Sequence, residues 1–208
     1  MRLKVLALSV LVLLVGLAGC RGKVTKKAVK KGDVLKSSIE SFEKNRSKFA
    51  SKVTASIENA NESLAKENPD PTTISRDFEA EWKDIQKRYN KMKKDFEDVG
   101  SSSTTFFDQL NDLAAGINNE DIKQSEMEKN AELLKKWEVH YTEAAASIEN
   151  VQQVLKDGND FSRVLVLSSV RQKLESNVEE LQKISEKATE LLKDLEAFTN
   201  AGRELVEG

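Results

Sequence analysis

An all-α fold, an elongated antiparallel four-helix bundle with coiled-coil-like packing, is what this 208-residue sequence predicts. Three observations carry that expectation. Apolar residues recur at three- and four-residue intervals through most of the chain, while the alternation of strands is almost absent. Charged residues make up 33% and aromatics 6%, the profile of long solvated helices rather than of a sheet protein dense in turns. There are only nine glycines, and both prolines fall within three residues of each other, so the helical pattern has few places to break.

Residues 1–19 stand apart from this pattern. Arg2 and Lys4 form a basic start, Val5 to Leu17 is apolar except for Ser9 and Gly16, and Ala18 and Gly19 are small. A spanning helix needs roughly 17–25 apolar residues, so this stretch is too short to cross a bilayer comfortably. Its shape is that of a secretory signal peptide. Leu17-Ala18-Gly19-Cys20 also resembles the lipobox of bacterial lipoproteins. That resemblance implies a cut between Gly19 and Cys20, a diacylglycerol thioether on Cys20, and a further acyl chain such as palmitate on the new N-terminus. Several acyl chains suffice for stable attachment, at about 0.8 kcal/mol per buried methylene. An ordinary secretory signal with a chance cysteine is the alternative. Cys20 is the sole cysteine, so an acylated Cys20 leaves no thiol for a disulfide and the fold must rest on packing.

Residues 20–32 read as a lipidated basic tether, and 33–208 as the bundle. Residues 21–52 carry 11 Lys/Arg against three acids, whereas 53–208 carry 20 against 32. Arg21, Lys23, Lys26, Lys27, Lys30 and Lys31 therefore form a candidate membrane-proximal patch, drawn to anionic headgroups by about 1 kcal/mol per near-surface charge. A solvated lysine-rich helix face reads equally well. The acidic body and the envelope compartment argue against nucleic acid as a partner.

The first helical series is Leu35, Ile39, Phe42, Arg46, Phe49, Val53, Ile57, Ala60 and Leu64, stopped by Pro69 and Pro71. Thr72 or Thr73 is placed to cap the second helix. Its series runs from Ile74 through Phe78, Trp82, Ile85, Tyr89, Met92, Phe96 and Val99. The run GSSSTT at 100–105 is poor in helix formers, yet the phase continues to Phe106, Leu110, Leu113 and Ile117, which predicts one helix over about 74–117. Asn118 or Asn119 opens the third helix, with Leu134, Trp137, Tyr141, Ala144, Ile148, Val151 and Leu155 as its seam. Gly158 suits a C-terminal cap and Asp160 the next N-cap. The fourth series then runs Leu167, Val170, Leu174, Val178, Leu181, Ile184, Ala188, Leu191, Leu195, Phe198 and Leu205. Such helices measure about 50–70 Å, and their short connections predict antiparallel neighbours. Two long hairpins completed by a second chain would bury the same seams.

Chemistry-bearing patterns are few. The di-iron pattern needs Glu-x-x-His on two helices, and the only histidine, His140, has Trp137 three residues before it. There is no Gly-x-Ser-x-Gly elbow and no phosphate-cradling glycine loop. No catalytic residue, metal or cofactor is expected. Arg46 lies on an apolar seam, where it either fixes register or lays its stem on the seam with its guanidinium in water; the second is the simpler reading. Trp82, Trp137, Tyr89 and Tyr141 read as core. FSRVLVLSSV at 161–170 is either the most buried part of the bundle, the safer reading, or a contact surface for a partner.

The chain also resembles an uncharacterised family of bacterial envelope helical proteins, a domain-of-unknown-function family. The resemblance rests on KKGDVLKSSIESF after the signal, then FFDQLNDLAAGINNEDIKQSE, ELLKKWEVHYTEAAASIENVQQVL and NVEELQKISEKATELLKDLEAFTNAG. It implies a long helical fold and an envelope location, and supplies no catalytic residues. The expectation is a non-enzymatic, lipid-anchored structural or interaction protein. In a host with two membranes it would sit at the outer membrane facing the periplasm, with an envelope protein or a second copy as partner. Binding to membrane or wall polymer through the basic segment is the alternative.

Overall fold

A computed structural model describes residues 21–171 and 177–207. Among the described residues there are four helices and no strand: α1 Arg21–Leu64, α2 Pro71–Ala115, α3 Glu120–Arg171 and α4 Asn177–Glu207. At 1.5 Å per residue the first three are about 66–78 Å long and α4 about 46 Å. α1 packs along α2 and α4, and α3 along α2 and α4, while Phe96 of α2 meets Phe198 of α4 across the core with ring centres 5.4 Å apart. The four helices form a bundle around one core.

The register of each interface is visible in its residue pairs. From α1 to α2, Ser38 meets Ser102 at 2.8 Å and Asn59 meets Glu81 at 3.1 Å. From α2 to α3, the Trp82 indole N–H donates to the Leu155 carbonyl and the Tyr89 hydroxyl to the Ile148 carbonyl, both at 3.0 Å. From α3 to α4, Trp137 and Phe198 ring centres lie 5.2 Å apart, and Lys187 meets Asp157 at 3.0 Å. From α1 to α4, Lys36 pairs with Glu207 and the Arg46 guanidinium with the Leu192 carbonyl. On every interface one number falls as the other rises.

The seams of α1 and of α2 as far as Val99 are buried residue for residue as their spacing predicts, with Leu64 half-buried. GSSSTT is indeed helical, and its hydroxyls are used locally. Ser101, Thr104 and Thr105 donate to carbonyls four residues back, Ser103 donates to the Gly100 carbonyl, and Ser102 pairs with Ser38. Beyond it the fully buried positions shift by one residue to Phe107 and Ala114, with Phe106 and Leu113 half-buried beside them.

Three expectations need correction. The cap of α2 is Asp70, whose carboxylate accepts the Thr72 N–H at 3.0 Å and the Thr73 hydroxyl at 2.6 Å, with Pro71 at the first helical position. The third helix does not end at Gly158: α3 runs through Gly158 and Asp160 to Arg171. A Cβ at Gly158 would lie 1.8 Å from Trp82 Cζ2, so the glycine is there to admit the indole of α2. Asp160, on the exposed face, pairs with Arg163 at 3.0 Å instead of capping a helix. Consequently Leu167 and Val170 belong to α3, and Val178 to the first turn of α4, and all three are exposed. Leu174 lies outside the described residues. Of the alternatives for α3's start, Asn119 is the cap, accepting the Ile122 N–H at 3.1 Å. Finally, Arg21, the first described residue, is already helical, so the basic segment from Arg21 onward is part of the first helix.

Candidate functional site

Gly19 and Cys20 lie outside the described residues. Arg21, Lys23, Lys26 and Lys27 occupy the first turns of α1; Lys30 is exposed and Lys31 half-buried. Phe106 is the nearest side chain to Gly32 across the α1–α2 interface. Eleven residues further along each helix brings Arg21 level with Ile117, in the turn between α2 and α3. The C-terminal end of α4 is close by, since Glu207 holds Lys36 at 3.0 Å. That hydrogen bond, reinforced by the Glu207 charge, raises the lysine's pKa. The start of α1 and the α2–α3 turn thus stand at one end of the bundle, and the α1–α2 connection at the other.

Midway along α1 the core carries charge. Arg46 is 7% exposed. Its Nε and Nη2 donate to the two oxygens of Glu43, each at 2.8 Å, and Nη1 donates to the Leu192 carbonyl of α4 at 3.3 Å. The guanidinium is therefore not in water, as a snorkelling side chain would have it. Glu43, one turn earlier on the same helix, satisfies its fork, and a bidentate pair is the strongest arrangement available to it. Burial pushes the Glu43 carboxyl up, but the hydrogen bonds and charge of Arg46 outweigh burial and hold it below its ordinary value. The neighbouring Asn45, also buried, donates to Asp95 of α2. On the α3–α4 side Ser147 donates to Asp194 at 3.2 Å. This polar layer ties α1 to both of its neighbours.

The clefts bring no reactive set together. One of about 540 Å³ lies between the end of α1 and the start of α2. Three of its four acids are occupied: Asp70 caps α2, Asp77 pairs with Arg76, and Glu81 is shared by Lys52 and Asn59, with Glu62 the fourth. Ser56 on its wall has a hydroxyl without a partner, but that atom is closed to solvent. A second, of about 460 Å³, lies between α2 and α3 and is lined by Gly100, Thr104, Trp137 and Tyr141. The Tyr141 hydroxyl sits against Gly100, where a Cβ would come within 2.4 Å, and burial followed by the Glu97 charge raises its pKa. His140 is exposed, with Glu143 3.8 Å away. Among the described residues no group of three or more His, Cys, Asp or Glu is placed to hold a metal ion. Nor is any helix long and apolar enough to cross a membrane among those residues. Trp82, Trp137 and Tyr89 are buried and Tyr141 half-buried, as core positions.

FSRVLVLSSV divides between the two alternatives offered for it. Phe161, Ser162, Leu165 and Ser168 turn inward, whereas Val166, Leu167 and Val170 are exposed. The signal was present in the sequence: on an unbroken helix, 166, 167 and 170 fall opposite 158, 161 and 165. Ending the helix at Gly158 concealed it.

Comparison of the chain with family models, with curated proteins and with solved structures finds no match.

Proposed function

We propose that this chain is a lipid-anchored, non-enzymatic structural or interaction protein of the bacterial cell envelope, held by an acylated Cys20. One observation carries the reading: the lipobox-like Leu17-Ala18-Gly19-Cys20 is followed at once by helix, since Arg21, the first described residue, already belongs to α1. A helical module joined so closely to an anchor acts through where it stands and what it touches. In this proposal the bundle is elongated and antiparallel with coiled-coil-like seams. The opposed residue order on all four interfaces and the three-and-four spacing support that arrangement. The resemblance to envelope helical proteins points to the same compartment. In an enteric-type host, Arg21 in place of the aspartate that retains lipoproteins at the inner membrane directs the protein to the outer membrane, facing the periplasm.

The test is metabolic labelling with an alkyne-bearing fatty acid. The chain is expected to take up label and partition with membranes, and Cys20→Ser to lose both properties. Label surviving Cys20→Ser, or an unlabelled wild-type chain in the soluble fraction, overturns the reading. A contribution from Arg21 to Lys31 has a separate signature: vesicle binding by Cys20→Ser that grows with anionic lipid and disappears with salt.

A further inference from the structure

Four aromatic side chains with polar tips lie along the α2–α3 interface, and they divide into two pairs. The Trp82 indole N–H and the Tyr89 hydroxyl each donate to a carbonyl of α3 at 3.0 Å. Among the described residues, the Trp137 N–H and the Tyr141 hydroxyl have no hydrogen-bond partner. Trp137 is 4% exposed, yet its nitrogen is not closed off from solvent as the unpaired Ser56 hydroxyl is. Both rings line the cleft of about 460 Å³, a volume in the range of small-molecule sites. An indole N–H this deep is ordinarily bonded, so the two tips call for a partner from outside the chain.

The charges lining this cleft are of one sign. Glu97 of α2 and Glu138 of α3 form part of its wall, and no cation does. Neither carboxylate makes an ion pair or accepts a hydrogen bond among the described residues. Lys93 and Lys94 stand within about one turn of Glu97, and Lys135 within one turn of Glu138, all exposed and none paired with either. Asp108, one turn beyond Thr104, adds a further negative charge. The other clefts differ. In the first, Asp77 and Glu81 are paired. In a third, beside Trp82 and Asn159, Glu79 pairs with Lys83 and Arg163 with Asp160.

We infer that the cleft at Trp137 and Tyr141 binds a small organic ammonium ion carrying a hydroxyl, of the kind choline represents. An alkylated ammonium is held by aromatic surface, here Trp137, Tyr141 and Phe107, and by opposite charge, here Glu97 and Glu138. Its hydroxyl oxygen accepts the Trp137 N–H. Burial and then the Glu97 charge raise the Tyr141 pKa, which keeps that hydroxyl a donor as well. An anion finds no cation here, and Ser101, Ser103 and Thr104 donate their hydroxyls to carbonyls of their own helix. A metal ion finds no group of three ligands among the described residues. A phosphorylated form, such as a lipid headgroup, brings its phosphate against Glu97 and Glu138, which favours the free alcohol. Nothing in this site depends on how the chain is anchored.

The experiment follows the indole N–H signals of the full chain, in nonionic detergent, by heteronuclear NMR during titration with choline. Trp82 and Trp137 are the two tryptophans of the chain, so one signal reports the cleft and the other the closed core. Trp137→Phe assigns them. Choline is expected to move the Trp137 signal saturably and to leave that of Trp82 in place. Dimethylbutanol, its uncharged carbon analogue, and phosphocholine are both expected to bind several-fold more weakly. Glu97→Gln and Glu138→Gln, changes at exposed positions whose helicity circular dichroism verifies, are each expected to weaken choline several-fold, and Tyr141→Phe less. No saturable shift at Trp137, dimethylbutanol binding as well as choline, or phosphocholine binding more tightly each overturn the inference without any variant. Unchanged affinity in both glutamine variants overturns it as well.

Discussion

α2 and α3 use the same device twice with the roles exchanged. Near the start of α2, Trp82 enters the surface of α3 at Gly158; further along, Tyr141 of α3 enters the surface of α2 at Gly100. The surroundings differ. Trp82 is 1% exposed, stacked on Phe78 with ring centres 5.1 Å apart, and its N–H is bonded to the Leu155 carbonyl. Tyr141 stacks on Phe96 at 4.6 Å but is half-buried, with its hydroxyl end in a cleft. The comparison teaches that a glycine's importance to packing is set by the freedom of the ring it receives, not by the closeness of the approach alone.

The largest effects belong to the closed socket. Trp82→Ala is expected to cost about 3–5 kcal/mol in urea unfolding, because the ring vacates a space its neighbours cannot fill. Gly158→Ala adds one methyl and gains helix propensity, yet it is expected to lose about 3 kcal/mol, since the methyl meets an indole that cannot yield. In the Trp82→Ala background the same methyl enters vacated space. The cycle then shows a coupling of more than about 1 kcal/mol, and additive costs would break the account of Gly158 as a socket.

Between the two glycines stands the polar layer, which tests whether charge or shape governs the middle of the bundle. Arg46→Met keeps most of the side chain's length but leaves Glu43 without its donors, and a loss of about 2 kcal/mol is expected, less than for a fully buried pair because Glu43 is partly exposed. A pH series isolates the electrostatic part. The Glu43 carboxyl is held below its ordinary 4.5 in the folded chain. As pH falls through about 4.5 the unfolded chain therefore takes up that proton first, and folding weakens until the folded carboxyl also titrates. Asp70 shifts in the same direction through its bonds from Thr73 and Thr72. The diagnostic is thus the difference between wild type and Glu43→Gln: the variant is expected to fall less steeply below pH 4.5. Parallel curves would show that Arg46 matters for packing alone.

The same contrast explains what could be read from the sequence. Periodicity found all of the α1 seam and carried α2 through GSSSTT, because amphipathic spacing is local information. The continuation of α3 past Gly158 was not local. Glycine followed by Asn159 and Asp160 is a reasonable stop in a lone helix, and only the indole arriving from another helix turns it into an interior position. Arg46 failed for a related reason. Its position on the seam was plain, but the partner that keeps its guanidinium out of water includes a backbone carbonyl of α4, which no pattern marks. The exposed stripe at Val166–Val170 became legible once α3 was known to be continuous.

The smallest effect is the sharpest test of the comparison. Gly100 and Ser101 are adjacent interior positions of α2, and alanine is the better helix former at both. Ser101 is exposed and its hydroxyl only doubles back to the Glu97 carbonyl. Ser101→Ala is therefore expected to stabilise by about 0.5 kcal/mol. Gly100→Ala stands to gain up to about 1 kcal/mol by the same argument, but its methyl would come 2.4 Å from the Tyr141 hydroxyl oxygen. That oxygen is the tip of a side chain beside open cleft, so the ring can tilt, and the net expected change is a loss under about 1 kcal/mol. Tyr141→Phe removes the nearest atom and should reduce the loss. A Gly100→Ala penalty as large as that of Gly158→Ala, unrelieved by Tyr141→Phe, would mean that the Tyr141 ring is as fixed as that of Trp82 and that burial does not separate the two sockets.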